Sequence, residues 1–88
     1  MDIGQVQPLL ERLIGNLGVE VRYEPMEDRP GATAGGLCRL RARRMVLVDA
    51  GAPPVEQVGV LLDALSQLDL EAMFVPPLVR RLLARRWR

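Results

Sequence analysis

The sequence predicts a two-layer α+β domain with the element order α-β-β-β-α-α, in which the helices cover one face of a small, mainly antiparallel three-stranded sheet. Two segments, residues 3–17 and 54–68, repeat apolar residues at helical spacing. Three shorter segments between them alternate or are continuously apolar, as strands are: 19–24, 37–41 and 44–49. A third helix is expected after the proline pair at residues 76 and 77.

Length and composition limit the kind of protein. The 88 residues have room for a single domain, 1–88, with one core built mainly from Leu and Val. The chain has no His, and its one cysteine, Cys38, has no partner for an internal disulfide. Because the N-terminus lacks a basic region followed by a long apolar run, we expect no secretory or transmembrane segment and a cytoplasmic location.

The first predicted helix carries one apolar stripe, made by Ile3, Val6, Leu10, Leu13 and Leu17, with Leu9 and Ile14 beside it. Asp2 is suited to cap its start, and Gly18 to end it in a left-handed conformation. Pro8 either marks the first turn of a shorter helix or kinks a longer one. The pattern from Leu9 to Leu17 is helical on both interpretations.

The first strand places Val19, Val21 and Tyr23 on one face and charged side chains on the other. Residues 25–36 are rich in Gly and Pro, which predicts a long loop. Its Gly35-Gly36 pair is interpreted as a flexible turn, because no helix with a phosphate-binding Lys follows.

The next two strands are predicted to form a hairpin, with Cys38 and Leu40 facing the core. The Ala42-Arg43 pair would make the turn. Such a pair is unfavourable in a tight hairpin turn, so the register stays open. The third strand, 44–49, is apolar on both faces, which indicates a central position in the sheet.

The central helix begins at Pro54 and has one apolar arc: Val55, Val58, Leu61, Leu62, Leu65 and Leu68. Its opposite side carries Glu56, Asp63 and Gln67. Asp63 and Gln67 are four residues apart and therefore lie one above the other, at the spacing of the two histidines in a helical zinc site.

This layout resembles the minimal core of the gluzincin-like metallopeptidases, including the family that cleaves phage repressors: a helix, three short strands, an HExxH helix and a further helix. In the matching stretch, residues 56–67, the resemblance puts Asp63 and Gln67 at the positions of the zinc histidines and Ala64 at that of the general-base glutamate. Glu71, in Leu70-Glu71-Ala72-Met73-Phe74, matches the third zinc ligand.

The chemistry that such a family requires is missing from these positions. A catalytic zinc needs three good ligands, an open coordination position and a base for its water. We therefore expect a pseudo-enzyme without cofactor, bound metal or catalysis. An ion site made by Asp63 and Glu71 is the weaker alternative to a solvated helix face. Without His, Cys38 lacks the usual base of a nucleophile and is interpreted as an inert buried thiol.

All twelve basic residues are Arg, and eight of them form two clusters: Arg39, Arg41, Arg43 and Arg44, and Arg80, Arg81, Arg85 and Arg86. The second cluster lies on a short amphipathic helix. Its apolar arc favours packing on the core over phosphate binding by the two clusters, and phosphate binding over membrane contact.

The function predicted from these observations is a non-catalytic interaction or assembly module. A homodimer is expected, because Val60 and Ala64 lie beyond the main arc of the central helix, and the central strand turns either Met45 and Leu47 or Val46 and Val48 away from the helices. The competing prediction is a monomer in which the long loop covers the sheet. An arginine-mediated nucleic-acid binder is the alternative function, and a residual metallohydrolase the third.

Overall fold

The computed structural model describes residues 3–26, 35–71 and 73–86. Their order confirms the predicted α-β-β-β-α-α arrangement, with the following bounds: α1 Ile3–Asn16, β1 Glu20–Glu24, β2 Gly35–Leu40, β3 Arg43–Asp49, α2 Pro54–Ser66 and α3 Pro77–Arg86. Among these, no helix is both long and apolar enough to cross a membrane.

The sheet has the strand order β1-β3-β2, which confirms the central position of β3. β2 and β3 form the predicted antiparallel hairpin, but β1 pairs with β3 in parallel, so the sheet is mixed. The chain reverses direction at each of the two connections, so its first and third strands run the same way. Inserting β3 between the other two then creates one parallel pair.

The two faces of β3 are distinct. Val46 and Val48 are fully buried in the core, on the side of the sheet that contacts α2, while Met45 and Leu47 alternate to the other face. Across the hairpin, Leu37 lies opposite Val46 and Cys38 opposite Met45. The prediction that Cys38 faces the core is therefore wrong. Alternation alone does not say which parity of a strand points inward; the pairing of Leu37 with the buried Val46 puts Leu37, and not Cys38, on the core side.

The hairpin turn consists of Arg41 and Ala42, one residue earlier than predicted, because Leu40 pairs with Arg43. Arg41 has a φ of 59°, the positive value that a two-residue hairpin turn needs. Gly35 and Gly36 belong to β2 and not to the preceding loop, which is a second correction. The remainder of that loop, residues 27–34, lies outside the described residues, as do Asp2 and the side chain of Leu40.

α1 runs through Pro8 without a break. Its buried side chains are Val6, Leu10, Leu13 and Ile14, in agreement with the predicted stripe. Gly18, with a φ of +78°, ends the turn after the helix in the left-handed conformation expected for it. The chain can then enter β1 directly, with Val19 buried at the junction.

α2 lies at the centre of the molecule and contacts α1, β2, β3 and α3. This position explains why its buried surface is wider than one arc: Val60 is 8% exposed and Ala64 0%. The inference that these two side chains need a partner molecule to cover them is wrong. Val55, predicted to be in the arc, is 63% exposed. It lies in the first turn of α2, where the helix projects past its neighbours.

Candidate functional site

The positions that match the zinc motif lie on different sides of α2. Asp63 and Gln67 are exposed, whereas Ala64 is completely buried in the core. The polar side chains nearby are bonded along the helix itself: Ser66 Oγ and Gln67 Nε2 both donate to Asp63 O, at 2.6 Å and 3.2 Å. A glutamate at residue 64 would lie in the core.

Glu71 lies in the connection between α2 and α3, where its backbone N donates to Asp69 Oδ1 at 3.0 Å. Its side chain is exposed. Within the described residues, no three His, Cys, Asp or Glu side chains lie close enough together to hold a metal ion. Asp63 and Glu71 therefore do not become part of a larger cluster of ligands there.

The hairpin cluster, defined as Arg39, Arg41, Arg43 and Arg44, is exposed on the tip of β2 and β3. None of these side chains forms an ion pair with a described residue. The acidic side chains of the neighbouring strand β1, Glu20 and Glu24, form ion pairs with Arg22, at 3.5 Å and 3.1 Å. The hairpin therefore concentrates positive charge at one end of the sheet.

The second arginine cluster is on α3. Arg80, Arg81 and Arg85 are exposed, and the side chain of Arg86 is outside the described residues. Arg80 Nε donates to Val75 O at 3.1 Å, which ties the first turn of α3 to the segment before it. The apolar side of the helix packs on the core through Val79 and Leu83, which are 0% and 8% exposed. α3 packs mainly against α2, and the hairpin is formed by β2 and β3. The two arginine clusters therefore lie on different elements.

A chain of polar side chains joins α1, β1 and α2 at the carboxyl ends of the two parallel strands. Tyr23 Oη donates to Glu11 Oε2, and Gln7 Nε2 donates to Tyr23 Oη at 2.9 Å and to Gln57 Oε1 at 3.0 Å. Gln57 Nε2 in turn donates to Asp49 O at 2.9 Å. Burial and the hydrogen bond to Glu11 raise the pKa of Tyr23 to about 12. A phenol that holds its proton this firmly, with its donor already in use, is suited to fastening elements together and not to proton transfer.

A groove of about 480 Å³ lies where the α2–α3 connection meets α3. Most of its lining is apolar, with one acidic and one basic side chain: Leu68, Leu70, Val75, Leu83, Ala84, Glu71 and Arg80. Next to Val75 in the chain, Phe74 is 76% exposed, the highest value among the large apolar side chains described. An exposed aromatic ring beside an apolar groove is typical of a protein-binding surface.

Sequence reasoning missed this groove. It arises where the end of α2, the connection and α3 converge, and such convergence depends on helix packing that periodicity does not reveal. One signal was present: Phe74 falls outside both predicted helices, beside the proline pair that begins the last one. An apolar aromatic residue in a short connection has no helical stripe or strand face to join.

Cys38 is partly exposed, and its outward position next to Met45 replaces the predicted buried thiol in the core. Comparison with known proteins adds no assignment to any of these positions: no protein-family model, curated protein or solved structure significantly matches the chain.

Proposed function

We propose that this chain is a non-catalytic interaction module that assembles as a homodimer, on a degenerate form of the metallopeptidase-like layout. The observation that carries the proposal is the Phe74 ring, 76% exposed beside a groove with a mainly apolar lining. Leaving such a ring in water costs about 1.5–3 kcal/mol relative to burying it. A partner surface that covers the ring would recover that free energy.

The environment of the motif positions supports a non-catalytic role. The residue at the general-base position, Ala64, is part of the core. Gln67 is an amide that bonds to its own helix. The side chain of Ala64 has no polar atom, and the neutral amide of Gln67 cannot act as a general acid or base at neutral pH.

The second face of the sheet supports assembly in a different place. On this face Leu47 and Cys38 are partly exposed, whereas Met45 is buried, at 8% exposure. This face and the Phe74 groove are two separate apolar surfaces that a second copy of the chain could cover.

Light scattering after size exclusion, over a range of micromolar concentrations, tests the proposal. We expect a mass near twice the monomer value of 9.8 kDa that falls on dilution. A mass that stays at the monomer value at every concentration contradicts it. The masses of monomer and dimer differ twofold, so the measurement distinguishes the two states.

Elemental analysis of the purified protein distinguishes this proposal from a residual metallohydrolase. We expect no stoichiometric zinc and no change in melting temperature on adding a chelator. One zinc per chain that survives dialysis, together with a melting temperature lowered by the chelator, would favour the hydrolase.

Arginine-mediated nucleic-acid binding is the second candidate, and the hairpin cluster is the observation that favours it. Four exposed guanidinium groups without an acidic partner among the described residues can each contact a phosphate. A two-residue turn also holds them on a narrow ribbon, a shape that enters a nucleic-acid groove.

Binding to duplex DNA and RNA at increasing salt tests this candidate. Each phosphate contact contributes about −0.9 to the slope of log affinity against log salt on duplex DNA. Replacing the hairpin arginines Arg39, Arg41, Arg43 and Arg44 by Gln should then abolish most of the slope, while Arg80→Gln with Arg81→Gln should leave it. Equal losses from both variants would indicate that general positive charge, and not the hairpin, is responsible.

A further inference from the structure

We infer that two copies of this chain exchange their Phe74 side chains, the ring of each entering the groove of the other next to α3. The inference rests on the proposed function and specifies its interface. Each copy would bury the side chain that the other leaves in water. The partner copy thereby completes a site that is open in the single chain.

The positions of ring and groove agree with twofold symmetry. In a twofold dimer the same patch is used on both copies, so the projecting side chain and the cavity must lie close together on one surface. Phe74 projects from the connection between α2 and α3, and three residues of that same connection, Leu70, Glu71 and Val75, line the groove. Phe74 does not fill the groove of its own chain, as its 76% exposure demonstrates.

The size of the groove also suits this occupant. Its volume of about 480 Å³ is larger than a phenyl ring needs. The partly exposed Leu70 and the exposed Ala84 are the lining residues that present most apolar surface to the ring. Burial of a Phe ring in such surroundings typically removes 150–250 Å² from water.

Charge is complementary between the acidic connection and the basic helix. Residues 49–71 carry five acidic and no basic side chains, and every charged residue in 72–88 is Arg. At the groove this division becomes local, with Glu71 on the connection and Arg80 on α3. Arg80 uses Nε to bond Val75 O, and its two Nη groups have no hydrogen bond to a described residue. A twofold axis would bring Glu71 of each copy to Arg80 of the other, which fixes orientation more than it adds affinity.

The test compares the dimer dissociation constants of Phe74→Ala and Val55→Ala by sedimentation equilibrium on the full chain. Val55 is the matched control, since it is also a large apolar residue, is 63% exposed, and lies in the first turn of α2, about 16 Å along the helix axis from the end that leads to the groove. The interface contains the Phe74 contact twice. We expect F74A to raise the dissociation constant at least 100-fold, about 2.7 kcal/mol, and V55A to change it less than threefold.

A groove-filling variant tests the receiving surface independently of Phe74. Ala84 is exposed at the groove, so Ala84→Trp should be tolerated by the monomer fold and should block entry of the ring. Melting temperature verifies folding of each variant. We expect A84W to weaken the dimer as strongly as F74A does.

Charge exchange tests the orientation. E71R and R80E should each weaken the dimer about tenfold, and the double variant E71R/R80E should restore it, because it recreates both pairs with the signs reversed.

The outcomes separate this inference from the proposed function. A wild-type dimer that F74A and A84W leave unchanged overturns the exchange of Phe74, and would direct attention to the Met45 and Leu47 face. A wild-type chain that is monomeric at every concentration overturns the exchange and the homodimer together, with Phe74 left exposed or turned into its own groove.

Discussion

Gly35 lies so close to Leu47 across the β2–β3 pair that a β-carbon on residue 35 would overlap the Leu47 carbonyl oxygen and stand 2.8 Å from its carbon. The φ of Gly35 is +130°, a backbone conformation that residues with a β-carbon rarely adopt. The start of β2 can therefore reach the register that places Leu37 opposite Val46 only because residue 35 is glycine.

Replacing Gly35 by Ala should destabilise the fold by about 2–3 kcal/mol, since it combines backbone strain with a clash against a backbone atom that cannot move alone. Gly36→Ala is the matched control, because nothing lies within 4 Å of a β-carbon at that residue. Urea unfolding measures both free energies. Equal losses for the two variants would contradict the close approach of Gly35 to Leu47.

The hydroxyl of Tyr23 leads to a second prediction, on how the stability of the fold depends on pH. Its pKa is raised to about 12 in the folded chain, from the ordinary value of 10.0. A raised pKa means that the folded state holds the proton more firmly than the unfolded state. The resulting contribution to stability is complete below pH 10 and is lost as the pH rises towards 12. The chain has one tyrosine, so tyrosinate absorbance reports this group directly.

Tyr23→Phe is the control for that titration. It removes the bonds to Glu11 and Gln7 but keeps the ring on β1. We expect the wild type to lose more stability than Y23F between pH 10 and pH 12, so that their unfolding free energies converge. Parallel loss in both proteins, or a midpoint of tyrosinate absorbance near 10, would show that the hydrogen bonds to Tyr23 do not persist in solution.

Periodicity and turn chemistry were enough to predict the order of elements and the central place of β3. Both depend on local patterns: the stripe of α1, the continuous apolar run of β3 and proline at the start of α2. The parallel pairing of β1 was not predictable in this way. It depends on which edge of the hairpin meets β1, and no pattern within β1 specifies that edge.

Side-chain orientation in β2 was the other failure, and its cause was the choice of which alternate residues face the core. Moving the turn from Ala42-Arg43 to Arg41-Ala42 shifts the partner of Cys38 from Leu47 to Met45, two residues along the same face of β3, so turn placement does not account for it. The composition of the motif positions was informative, because the absence of His is independent of fold. The burial of Ala64 was not predictable in this way, because the helical wheel assumed one covered arc, whereas α2 is covered from several sides.

Ala64→Glu tests whether α2 can present residue 64 to a substrate. The side chain of Ala64 is fully buried, so a carboxylate there would be desolvated and overpacked. We expect a loss of more than about 3 kcal/mol in the free energy of unfolding. Asp63→Glu, at the neighbouring exposed position, should change it by less than about 0.5 kcal/mol. Stable folding of A64E would mean that this side of the helix opens to solvent.

Replacing Arg41 by Gly should increase the stability of the fold, because the backbone conformation at this residue favours glycine. Arg41 has a φ of 59°, which costs a side-chain-bearing residue about 1 kcal/mol. Arg41→Gly relieves this cost, partly offset by the greater flexibility of glycine in the unfolded chain, so we expect a gain of about 0.5–1 kcal/mol. Thermal unfolding measures the gain.

Arg41→Ala is the decisive control. It removes the same positive charge from the hairpin cluster but keeps a β-carbon at positive φ, so it should gain nothing from relief of strain. Equal stabilisation by R41A and R41G would assign the gain to weaker repulsion among Arg39, Arg41 and Arg43, and a loss in R41G alone would mean that the turn is not strained at this residue.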